Sequence, residues 1–132
     1  MKRLLLLLLL LFACAAAGRD ADFDSLVKSL RAEKIPVERD EEVEQPFFSV
    51  KAKVILVYGD PVQIFEYPSR ARAKAEAALV SPNGRTVGTA KPHWIAPPHF
   101  YKKDKLLVLY LGRNEKVLQA LEARLGRQFA GE

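Results

Sequence analysis

The sequence has a single cysteine, Cys14, and two histidines, His93 and His99, among its 132 residues. One cysteine excludes the intramolecular disulfide framework that staples many small secreted domains. Two histidines on one short segment match no strong ligand spacing, and a structural zinc site needs about four ligands, so no metal is expected. Long apolar runs are missing apart from residues 4–12, and that run is too short for a spanning helix, which takes ~20 residues. Charge is not one-sided: 21 basic and 16 acidic side chains give a net +5. Such a mild excess favours solubility and some attraction to anionic surfaces, and it argues against nucleic acid as a partner. Catalytic signatures are absent as well. Ser25, Ser29, Ser49, Ser69 and Ser81 lie in no G-x-S-x-G elbow, and no histidine stands in a recognisable triad order. Asp40, Glu41, Glu42 and Glu44 crowd one polar run, whereas paired catalytic carboxylates would face each other from separate elements. Residues 84–88 hold two glycines without the lysine of a phosphate loop. Neither an enzyme nor a cofactor is expected.

What is present begins at the N-terminus. Lys2 and Arg3 precede the apolar run, the order of an export signal. The sole cysteine follows at once, and Leu11-Phe12-Ala13-Cys14 resembles the lipobox of bacterial lipoprotein signals, with Phe12 a less usual occupant of its place. The resemblance implies that the Cys14 thiol takes a diacylglyceryl group, that cleavage precedes it and that the new N-terminus is acylated. Residues 1–13 are then a signal peptide, 14–20 a lipidated cysteine and tether, and 21–132 a single domain. The protein would stand outside the cytoplasm on a lipid anchor, at the periplasmic face or the cell surface. An ordinary secretory signal cleaved within residues 15–18 is the alternative. Loss of Lys2 and Arg3 with the leader leaves 19 basic against 16 acidic groups, net +3.

In the mature part, Phe23, Leu26, Val27 and Leu30 form one apolar stripe of a helix over residues 22–34, with Asp20 or Asp22 as its cap. Residues 35–50 lose the period and read as an irregular or edge-strand passage ending in Phe47-Phe48. Residues 52–58 and 62–67 read as a hairpin turning at Gly59-Asp60-Pro61. The second strand carries apolar bulk on both faces, which suits an interior position. A helix from Ser69 is expected to bury Ala71, Ala75, Ala78 and Leu79, leaving Arg70, Arg72, Lys74 and Glu76 in water. Ser81-Pro82-Asn83-Gly84 marks a turn, and 86–89 a short strand. Residues 98–102 and 105–111 form a second hairpin about Lys103-Asp104. A final helix over 115–125 is capped by Asn114, closed by Gly126 and packed through Val117, Leu118, Leu121 and Leu125. The expected fold is α+β: a two-layer antiparallel sheet of four to six strands with helices packed on one face, as two β-β-α units preceded by an N-terminal helix.

With these elements in place, EQPFFSV, AKVILVYGDPVQIFEYP, SPNGRTVGT, WIAPPHFYKKDKLLVLYLG and LEARLGRQFAG resemble segments of a family of small uncharacterised bacterial lipoproteins. The resemblance covers most of residues 44–131 and implies localisation and boundaries, with no activity or catalytic residue to transfer. The most distinctive mature motif is HWIAPPHFY, which gathers both histidines and the only tryptophan around Pro97-Pro98. Aromatic bulk on a rigid turn can form a recognition patch, so Trp94, His99, Phe100 and Tyr101 are the candidate binding surface. The competing reading places Trp94 and Phe100 in the core. The expected role is a non-enzymatic accessory or binding domain for an envelope protein or small ligand, and a structural envelope component is the alternative. A small hydrolase or a metal-binding protein is a more distant one.

Overall fold

A computed structural model describes residues 21–132; the expected signal peptide, Cys14 and tether lie outside the described residues. Helix α1 (Phe23–Ala32) starts in a capping box. Asp22 accepts from the Ser25 amide at 2.8 Å, and the Ser25 hydroxyl accepts from the Asp22 amide at 2.9 Å. Its buried residues are the expected stripe, Phe23, Leu26, Val27 and Leu30.

Six antiparallel strands follow: β1 (Val37–Arg39), β2 (Ala52–Val57), β3 (Asp60–Glu66), β4 (Pro98–Lys103), β5 (Leu106–Leu111) and β6 (Ala130–Gly131). Their order in the sheet is β1-β2-β3-β5-β4-β6. The β2–β3 turn is Tyr58-Gly59, with φ of 50° and 82°, one step earlier than expected. Two successive positive φ values give the twist that a two-residue hairpin needs. Pro61 therefore lies within β3, opposite Leu56, in the pair next to the closing pair Val57–Asp60. Ladder bonds alternate along an antiparallel pair, so its missing N–H faces away from β2. Pairing with β5 starts only at Val62. The second hairpin turns at Asp104-Lys105, one residue later than expected, with Asp104 at φ 50°.

The two hairpins meet through β3 and β5, with Ile64 opposite Val108, and each is followed by a helix, α2 (Arg70–Ala77) or α3 (Glu115–Leu125). The α+β architecture with two β-β-α units is as expected, but the helices do not share one face of the sheet, because the strands between them are apolar on both sides and each face needs cover. Residues 86–89 form no strand, and only Val87 makes isolated bridges, to Val80 and Ala90. Helices α1 and α3 cover one face, burying Val117, Leu121 and Leu125 with Ile55, Ile64, Val108 and Tyr110. On the opposite face Phe48, Phe65, Phe100, Leu107 and Leu109 pack with Ala73 and Ala77 of α2 and with Val80 and Val87. This second apolar face is why β3 and β5 are hydrophobic on both sides and why α2 and coil must cover it. Among the described residues no helix is long and apolar enough to cross a membrane.

The buried side of α2 differs from expectation. Ala73, Glu76 and Ala77 are buried, while Ala71, Ala75, Ala78 and Leu79 are exposed. Alanine occurs on every side of this helix, so the pattern does not select a face. Glu76 is held inside because its carboxylate accepts from the Ser49 amide and hydroxyl, both at 2.7 Å.

Candidate binding surface

Strand alternation decides the fate of HWIAPPHFY. Phe100 and Tyr101 are adjacent on β4 and project to opposite faces: Phe100 joins Phe65 and Leu109, and Tyr101 joins Val108 and Leu121. Neither is accessible, with relative exposures of 0% and 2%. His99 is buried beside Tyr110, rings 6.1 Å apart and nearly parallel. Its Nδ1 lies 2.7 Å from Gln128 Oε1 and its Nε2 3.0 Å from the Gly112 carbonyl oxygen, so the ring ties β4 to the segments after β5 and α3. His93 is exposed and apart from it. Among the described residues no three His, Cys, Asp or Glu side chains gather as a ligand set.

The four predicted residues therefore do not form one surface, and His99, Phe100 and Tyr101 are removed from it by burial. Pairing of β4 with both β5 and β6, together with cover on both faces, buries all three.

Trp94 is half-buried. Its ring meets Phe47 edge-on at 5.7 Å and Phe100 at 6.2 Å, while Phe47 and Phe48 continue the chain to Phe65. Its indole N–H donates to the Gly84 carbonyl at 2.8 Å, which satisfies the polar end of the ring. Gly84 has φ 70°, and a Cβ there would press at 3.2 Å on Phe100, Pro98 and Gly131. A side chain at position 84 would therefore strain the turn that fixes Trp94. With Trp94 pinned inward, the next side chain, Ile95, points out and is 93% exposed.

Ile95 borders two open hollows. One, about 500 Å³, is lined chiefly by Pro46, Phe47, Pro92, Trp94 and Leu111, with Lys91 at its rim. The other, about 420 Å³, runs past Pro97 and Pro98 to Arg85, Arg113 and Glu132, and Arg85 pairs with Glu132 at 3.0 Å. The apolar walls of the first hollow, with a few polar groups at the edge, suit an apolar side chain of a partner. From sequence, Phe47 ends an irregular passage and Leu111 closes a hairpin, and neither pattern points to Ile95. An isoleucine between tryptophan and a proline pair, fitting neither a helical nor a strand period, is the one sequence feature that marks it.

Three buried tyrosines titrate high. Burial, then the nearby Glu122 carboxylate and Tyr110, pushes Tyr101 up to about 12. Burial also pushes Tyr110 up to about 12, aided by the bond its hydroxyl donates to Asp60 Oδ2 at 2.7 Å. Tyr67 is raised by burial and by the Glu76 carboxylate, and its hydroxyl has no hydrogen-bond partner among the described residues. All three phenols stay neutral and structural at ordinary pH. Comparison with protein-family models, curated proteins and solved structures yields no match.

Proposed function

We propose that the protein is a non-enzymatic, extracytoplasmic binding domain, tethered to a membrane through lipidated Cys14, that engages a partner with the groove around Trp94 and Ile95. One observation carries the binding part. Ile95 is 93% exposed beside an apolar groove, on a loop held by Trp94 and Pro97-Pro98. Single exposed apolar residues are ordinary on protein surfaces; one beside a ready apolar groove, on a loop anchored by Trp94, favours recognition. The tether rests on the order of Lys2-Arg3, the apolar run and Cys14, and on the resemblance to bacterial lipoproteins. A structural envelope component shares that anchor and would need no such groove.

The test has two arms in living cells. Labelled palmitate should mark the wild type and not Cys14→Ser; marking that survives the substitution removes the tether. A photo-crosslinking amino acid at position 95 should capture one discrete partner. The same probe at position 79, an exposed leucine, should not. Equal capture from both positions removes the groove as the binding surface.

A further inference from the structure

We infer that the β4–β5 turn is a membrane-docking face for anionic lipid headgroups, so that the Ile95 groove is presented away from the bilayer. This rests on the lipid tether proposed above. The first described residue, Ala21, donates its amide to Asp104 Oδ2 at 2.7 Å, which seats the chain entering from the tether on that turn. Residues 14–20 precede it, and seven residues at ~3.5 Å each reach at most about 24 Å. The turn therefore lies within tether reach, about 24 Å, of the anchor.

The turn is basic. Lys102 and Lys103 are exposed and Lys105 is half-buried. Lys103 donates to the Arg124 carbonyl at 3.0 Å, and the Lys102 ammonium lies 5.7 Å from the centre of the Phe129 ring. Neither of these partners, among the described residues, carries a charge. Two carboxylates at this end are engaged internally. Asp104 holds Arg70 at 2.8 Å besides the Ala21 amide, and Glu66 accepts from the Phe23 amide at 2.7 Å and faces Lys53 at 3.6 Å. Three lysines around this turn, Lys102 and Lys103 on opposite sides of β4 and Lys105 in the turn itself, next to a lipid tether complement a negatively charged leaflet, which attracts basic residues within about a Debye length of ~10 Å.

The groove lies at the far end of the sheet. Pro97 accepts from the Gly112 amide at 3.0 Å where β4 begins and β5 ends, and six strand residues at ~3.4 Å separate that end from the turn by about 20 Å. Docking through the lysines thus directs Ile95 outward, where an extracytoplasmic partner can reach it.

Amine footprinting of the lipidated full-chain product tests this without a substitution. The protein is reconstituted into phosphatidylcholine vesicles with or without phosphatidylglycerol, and acylation rates are read by mass spectrometry. Lys102, Lys103 and Lys105 should react about fivefold more slowly on the anionic vesicles, and added salt should reverse the protection. Lys91, on the groove rim, should react equally on both. Protection of Lys91 in place of the three lysines overturns the orientation, and unchanged rates at all four overturn the docking. Intact mass in the same experiment reports lipid on Cys14. A chain without lipid removes the tether and the orientation together, whereas a lipidated chain with unprotected lysines removes only the orientation.

Discussion

Phe100→Ala and Ile95→Ala separate the core part of the HWIAPPHFY motif from its exposed part. Phe100 is fully buried, packed between Trp94 and Phe129 at centroid distances near 6 Å and set among Phe65, Leu107 and Leu109. Deleting a buried phenyl ring costs about 3–5 kcal/mol through lost transfer energy and the cavity left behind. That is a large share of the about 5–15 kcal/mol by which a domain is stable. Ile95 is 93% exposed, so its truncation should change stability by no more than about 0.5 kcal/mol. The assay is urea unfolding of a chain beginning at Asp20, followed by the fluorescence of Trp94, the only tryptophan. With a slope of about 1.5 kcal/mol per molar, Phe100→Ala should lower the midpoint by about 2–3 M and leave the slope unchanged. Ile95→Ala should superimpose on the wild type. A Phe100→Ala midpoint within ~0.3 M of the wild type would refute the assignment of this ring to the core.

Two further outcomes follow from buried polar groups. Glu76→Ala frees the Ser49 amide and hydroxyl and should destabilise the domain by about 2 kcal/mol, with faster hydrogen exchange confined first to residues 46–49; unchanged exchange there would remove the clamp. Tyr101 and Tyr110 keep their protons to about pH 12 in the folded state, while an unfolded tyrosine titrates near 10. Their contribution is present in full below pH 10 and is lost as pH rises towards 12, so unfolding free energy should fall across that window and fall less steeply in Tyr101→Phe; a flat profile contradicts the burial of both phenols.

Elements whose causes are local were legible in the sequence. The stripe of α1, the caps Asp22, Ser69 and Asn114, and the hairpin with Gly59 each depend on residues within about four positions, and all formed. The alternation of apolar bulk on both sides of β3 also announced its interior place in the sheet. Tertiary structure decided which surfaces remain open. The face that α2 buries depends on Ser49, 27 positions away from Glu76, because alanines on all sides leave its own pattern silent. The burial of His99, Phe100 and Tyr101 depends on β5, on the two-residue strand β6 and on coil folding over the second face. Ile95 became the exposed tip because Trp94 is bonded inward to Gly84. Period and capping describe one element and its immediate neighbours. Exposure is a property of everything packed around a residue, and here its neighbours come from distant parts of the chain.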